Sequence, residues 1–151
     1  MRLPIAAAFA LVVASSLGAQ AIPDLSAATP IAGSWTYTPA ADGSEARFAD
    51  STNNPQLVVH CTRATRHVTI SKAATAAAPT INVWTSSQTR SVASTFNPAT
   101  ARLSIDFQPY DALLDAISTS RGRIGFSAGT EPALVVPPWP ELARVVEDCR
   151  A

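Results

Sequence analysis

Four kinds of residue in this chain have chemistry beyond filling space. They are a serine set between glycines, two histidines, ten arginines beside a single lysine, and two cysteines. The serine stands in Gly125-Phe126-Ser127-Ala128-Gly129, a match to G-x-S-x-G. In that motif the serine is raised on a sharp turn between a strand and a helix, and its histidine follows later in the chain. Here residues 123–128 alternate like a strand, the chain after Gly129 leads into a second strand at 133–136, and both histidines precede the serine. Gly129 therefore reads as a hairpin turn residue, and no catalytic residue is assigned.

The histidines, His60 and His67, are weak candidates for a metal site. Leu57, Val59 and Cys61 share one face of a strand at 56–62, and Val68 and Ile70 share one face of the next, at 67–71. Antiparallel pairing keeps both apolar faces together only if paired residue numbers sum to an odd value. That requires a two- or four-residue loop within 63–66 and sends both histidines to the outer face as opposite or diagonal neighbours. Zinc takes three or four protein ligands, and no cysteine, third histidine or adjacent carboxylate completes a set. The expectation is a solvated pair, with no metal and no cofactor.

Arginine forks suit carboxylates and phosphates. Arg63 and Arg66 fall at the expected hairpin tip, and Arg121 and Arg123 flank Gly122. Trp84 shares its strand parity with Asn82, opposite Ile81 and Val83, which marks it as an exposed aromatic able to anchor a partner. These five residues form the candidate partner or anion surface. Asp106, Asp111, Asp115 and Asp148 are available as internal partners for the same arginines. Asp111 and Asp115, one helical turn apart, read as a solvated face rather than a catalytic carboxylate pair.

Cys61 lies on the inward face of its strand, and Cys149 on the apolar stripe of the last helix. Both thiols point to the core from segments far apart in sequence. In an oxidising compartment such a pair becomes a disulfide, closing a loop of about 88 residues, for which the chain-entropy model assigns roughly 4–5 kcal/mol. The pair lacks the C-x-x-C spacing of a redox centre.

The elements that must position these groups are short. The chain has 151 residues, 47% of them hydrophobic and 15% charged, with 12 Pro and 6 Gly. That suits one domain, and the low charge excludes a solvated coiled coil or a charged disordered tail. Eleven basic residues balance eleven acidic ones, so no net field points to nucleic acid. Period-2 alternation predicts strands at 34–38, 45–49, 56–62, 67–71, 80–85, 91–96, 102–107, 123–128 and 133–136, separated by Pro, Asn, Gly and Ala-rich breaks. Residues 73–79 are low in complexity and read as a loop.

Two segments carry helical spacing. In residues 109–120, Tyr110, Leu113, Leu114 and Ile117 share a face, with Gly122 as left-handed terminator. From Pro140 onward, Leu142, Val145, Val146 and Cys149 form a narrow apolar stripe opposite Glu141, Arg144, Glu147 and Asp148. Trp35 is expected in the core, and Trp139 at the start of the last helix. The fold class is mainly β, β-rich α+β: an antiparallel sandwich or partly open barrel of about seven to nine short strands, with two short helices and the last of them at the C-terminus.

The first twenty-one residues read as an address. Arg2 precedes an apolar run over 5–13, and Ala19-Gln20-Ala21 is an A-x-A cleavage site. The run is shorter than the roughly 20 residues a membrane-spanning helix needs. The expected organisation is a signal peptide at 1–21, a flexible arm at 22–32 and one β-rich domain at 33–151. Cleavage after Ala21 leaves 130 residues, released to the periplasm or secreted, with no membrane span.

Several strings carry a resemblance. Leu113-Leu114-Asp115-Ala116-Ile117, Ser120-Arg121-Gly122-Arg123, Pro138-Trp139-Pro140-Glu141 and the terminal Arg144-Val145-Val146-Glu147-Asp148-Cys149-Arg150 resemble a group of small exported alphaproteobacterial proteins of unassigned function. The resemblance covers most of the chain after the leader. The layout of Trp35, the Pro55, Leu57 and Cys61 spacing, a helix followed by a hairpin, and a terminal cysteine is distantly similar to two periplasmic families. These are the invasion-associated locus B family and the accessory proteins associated with type VI secretion. The resemblance brings no catalytic residues, and the expected function is that of an exported, non-enzymatic binding or accessory protein whose partner is another envelope protein or component. An inhibitor of a lytic enzyme, presenting the 63–66 loop, is the alternative, and a small hydrolase built on Ser127 or the histidines a lesser one. Thiol titration of denatured, unreduced protein should find no free thiol; two reactive thiols would overturn both the bond and the inward placement of the cysteines.

Overall fold

Alternation of apolar and polar side chains sets the main layer. The computed structural model describes residues 22–151; the expected leader and its cleavage site lie outside the described residues. In chain order the elements are β1 (Gly33–Ala40), β2 (Gly43–Asp50), β3 (Pro55–Thr62), β4 (His67–Ala73), β5 (Thr80–Trp84), β6 (Thr89–Ala93), β7 (Thr95–Asn97), β8 (Arg102–Phe107), α1 (Ala112–Ser118), β9 (Ile124–Ser127), β10 (Leu134–Val136) and α2 (Pro140–Arg150). They build two antiparallel sheets, a six-stranded one in the order β1-β2-β3-β4-β8-β7 and a four-stranded one in the order β10-β9-β5-β6.

Cross-strand rows of the large sheet carry the core. Val59, Ile70 and Ile105 form one row, and Cys61, Val68 and Phe107 the next, all of them buried. Ile81, Val83, Ile124, Phe126, Leu134 and Val136 of the small sheet join the same core, as do Leu113, Leu114 and Ile117 of α1. The small sheet and the two helices together cover the inner face of the large one. The architecture is the mainly β class read from the alternation, with ten strands rather than seven to nine.

The extra strand has a physical origin. The alternating run expected at 91–96 is split at Ser94: Val92 pairs with Ile81 in the small sheet, whereas Phe96 pairs with Leu103 in the large one. Ser94 marks the corner, its N–H donating to Pro79 O at 3.0 Å and its hydroxyl to Ala78 O at 2.6 Å. One alternating segment thus serves both layers.

Both helices form where their spacing places them. The first begins two residues later than Tyr110, because the Asp111 carboxylate accepts the Leu113 N–H at 2.8 Å and caps it. Tyr110 is left 70% exposed, not on the buried face. Thr119 closes this helix, so Gly122, at φ +78°, turns the following loop into β9 instead of terminating α1.

In α2, Leu142, Val145, Val146 and Cys149 are all buried against β1 to β4. Trp139 stands at its N-cap. On its outer side Arg144 lies 3.9 Å over the Tyr37 ring, and Tyr37 donates to Asp148 at 2.7 Å. Trp35 is buried edge-on to Phe48, 5.5 Å between centroids, and its indole N–H donates to Pro137 O at 2.8 Å. Cys61 and Cys149 are bonded, with Cα atoms 5.5 Å apart across a separation of 88 residues.

The arm at 22–32 is anchored at three points on the small sheet. Leu25 is buried above Gly125, where any side chain on that glycine would meet it. Ile31 N–H donates to Val135 O at 2.9 Å, and the Arg123 guanidinium donates to Ala28 O.

An eleven-residue helix is marginal alone, so α2 persists through its buried stripe and the disulfide. Val146→Asp places an unpaired carboxylate there at a cost of several kcal/mol, a large share of the about 5–15 kcal/mol a domain has. Glu147→Ala, on the exposed side, should change stability by less than about 0.5 kcal/mol. Denaturant titration and soluble yield check both; equal tolerance would mean that the helix is not docked.

Candidate functional site

The chain's only lysine lies on an inward row. Alternation continues from Val68 and Ile70 to Lys72, whose cross-strand neighbours are Leu57 and Leu103. The side chain is 3% exposed, at the edge of the core where β4 ends. A lone ammonium here would be costly, and the fold supplies partners. Nζ donates to Glu131 Oε2 and to Ala73 O, each at 2.9 Å. An ammonium has three donors, and two of them are engaged among the described residues.

Glu131 comes from the β9–β10 loop and ties it to the large sheet. Besides Lys72, its Oε1 accepts the Thr75 N–H at 2.6 Å and the Thr75 hydroxyl at 2.8 Å. These bonds, the Thr75 amide first and Lys72 next, hold the carboxyl well below its ordinary 4.5, at about 2.

Around this pair opens a cleft of about 660 Å³ between the ends of the two sheets, within the range of small-molecule sites. Its walls are mostly apolar, from Ile31, Ala73, Ala101 and Leu134, with Asp50 and Gln56 as a polar rim. The pairing of β2 with β3 shifts register after Phe48. Asp50 then accepts from Thr52 (hydroxyl and N–H), the Asn54 N–H and the Gln56 amide. The first two of these residues chiefly pull its carboxyl to about 2. Asp50, Lys72 and Glu131 together leave the cleft one negative charge.

The residues singled out in sequence are dispersed. Thr62 pairs with His67 and His60 with Thr69, so the hairpin has a four-residue loop and the histidines are diagonal neighbours. Each ring faces its own partner: His60 Nε2 is 3.1 Å from Asp42 Oδ2, with Glu45 3.8 Å from Nδ1, and His67 Nε2 is 2.9 Å from the Gln108 amide. No group of three metal-ligating side chains is assembled among the described residues.

Arg63 and Arg66 are exposed at the hairpin tip, and Arg66 reaches Arg150 O at 3.5 Å. Arg121 is exposed and Arg123 half-buried against the arm. The two arginine pairs thus belong to different neighbourhoods, one by the end of α2 and one by the arm. Trp84 is half-buried rather than exposed, because it pairs with Gly125, the residue Leu25 covers. Arg90 binds both carboxylate oxygens of Asp111 at 2.8 Å, and Arg150 binds Asp115 at 2.7 Å, whereas Asp106 and Asp148 accept from Thr69 and Tyr37. The aspartates thus pair internally, but not with the arginines of the candidate surface.

Ser127 lies in β9, opposite Asn82, and its hydroxyl is buried without a hydrogen-bond partner. Gly129, at φ +54°, starts the hairpin turn into β10. Both glycines of the serine motif therefore have packing or turn roles.

The cleft residues Lys72, Glu131, Asp50 and Gln56 were missed from sequence. The available signal was the inward parity of Lys72, one alternation past the expected end of its strand at 71. No protein-family model, curated protein or solved structure matches this chain.

Because Glu131 has a depressed folded pKa, its contribution to stability is present above about 4.5 and lost as the pH falls towards 2. Glu131→Gln should therefore be less stable than wild type by about 1–2 kcal/mol at pH 7, with the gap narrowing steadily below pH 4.5. Urea titrations at pH 7, 4.5 and 3 check this; a gap independent of pH would mean that the charge of Glu131 holds nothing.

Proposed function

We propose that this chain is an exported, non-enzymatic binding or accessory module of the cell envelope, working as a rigid, disulfide-locked scaffold on another envelope component. The observation that carries the reading is the cleft. It is open to solvent, apolar-walled, and holds a buried ammonium, while Ser127 and the two histidines lie outside it. Such a site suits holding and orienting a small molecule.

Two features support export. Residues 1–21 have the charge, apolar run and A-x-A site of a cleavable leader. The one cysteine pair is bonded, as in oxidising compartments. No helix among the described residues is long and apolar enough to cross a membrane.

Native mass spectrometry of protein recovered from the periplasmic fraction tests the reading. The chain should begin at Ile22 and carry a further mass of a few hundred daltons that is lost on denaturation. Recovery of the full chain from cytoplasm only, or a ligand-free protein that turns over an ester or glycoside, would sink it.

A further inference from the structure

Glu131 occupies a carboxylate receptor that the chain fills with its own loop. Both of its oxygens receive donors: the buried Lys72 ammonium on one, and the amide and hydroxyl of Thr75 on the other. Charge-assisted donors on both oxygens are how proteins hold a carboxylate firmly. Glu131 is also a partition. It lines the large cleft on one side and, on the other, a smaller one of about 230 Å³ floored by Ala77, Ala78 and Gly129. Apart from its side chain, the tip of this loop is held by one backbone bond, Glu131 N–H to Ala128 O at 3.3 Å. Gly129, Thr130 and Pro132 beside it are exposed.

We propose that the ligand of the cleft is an apolar monocarboxylate of medium-chain fatty-acid size, whose carboxylate displaces Glu131 from Lys72 and Thr75 as the 128–133 loop swings outward. Displacement is required by charge. With Glu131 in place the cleft already holds two carboxylates against one ammonium, and a third would be repelled. After the exchange, one carboxylate has replaced another on the same three donors, so the polar terms nearly cancel. The net gain is burial of the ligand's apolar body along Ile31, Ala73, Ala101 and Leu134. Glu131 is then a tethered competitor that keeps the three donors occupied until a ligand with enough apolar surface arrives. This inference rests on the binding-module reading and names the ligand of that site.

The test is calorimetric titration of the exported, leader-free protein with dodecanoate below its micellar concentration, and with dodecanol as the neutral counterpart. Dodecanoate should bind wild type and bind Glu131→Gln at least tenfold more tightly. In the Glu131→Gln background, where the ligand no longer exchanges with a carboxylate on the same donors, Lys72→Met should weaken dodecanoate at least tenfold. Thr75→Val, which keeps the amide but removes the hydroxyl donor, should weaken it severalfold there and stands in if the Lys72→Met variant does not fold. Dodecanol should bind more weakly than dodecanoate and gain nothing from Glu131→Gln. Equal binding of acid and alcohol, no gain from Glu131→Gln, or no dodecanoate binding at all overturns the carboxylate assignment. The module reading is judged separately, by the ligand mass carried out of the periplasm.

Discussion

The covalent tie between Cys61 and Cys149 is the constraint from which the rest of this structure follows. Four strands in one sheet are too few to cover six in another, so the inner face of the large sheet needs a second cover. Helix α2 supplies it, packing on β1 to β4. It is the last element of the chain, where ordering is weakest. The bond joins the middle of the large sheet to the final turn of that helix and closes every element after β3 into one loop. On the chain-entropy account this is worth roughly 4–5 kcal/mol, comparable with the net stability of many domains. With α2 held, Trp35 has Pro137 O to bond, Tyr37 has Asp148, and α1 has a helix to pack against.

The large sheet also carries a charge on its inner face, at the end away from the disulfide. Cys61, Val68 and Phe107 form the row under the helices, whereas Leu57, Lys72 and Leu103 form the row under the small sheet. At the second row the small sheet runs out, and the gap is bridged by polar contacts from the β9–β10 loop. An isolated ammonium on that row would be strongly destabilising, and one bonded to Glu131 and Ala73 O is tolerated at the rim of a core. The ion pair bridges the two layers there, and the cleft opens beside it.

Ser127 and its glycines show how a motif is separated from a site. The serine needs a strained turn and a base within hydrogen-bond reach, and it has a strand and a hydroxyl without a partner. Gly125 is small because Leu25 packs on it, and Gly129 is left-handed because the hairpin turns there. Of the candidate arginines, Arg123 is taken up by the arm and Arg66 touches the end of α2, while Arg63 and Arg121 stay exposed.

Local periodicity was enough to determine the mainly β class and both helices, and with the leader and a count of two cysteines it led to their partnership. The reason is that a half-buried strand or a helix lying on a core writes its own burial into every second, or every third and fourth, residue. The inward faces of Leu57, Val59 and Cys61, of Val68 and Ile70, and of Leu142, Val145 and Val146 were all legible this way, as were the odd sum of the 62–67 hairpin and the outer placement of the histidines. Tertiary structure alone decided which sheet each strand joined. Alternation through residues 91–96 is the same whether or not the chain changes layer at Ser94, because a strand's pattern records which face is buried and not against what. It alone decided that the arm lies over Gly125 and half-covers Trp84, since Leu25 sits in a stretch without periodicity. Most of all, it decided the cleft. Lys72 and Glu131 are 59 residues apart and become a pair only when the two layers close, and no local pattern encodes which polar groups meet across a core.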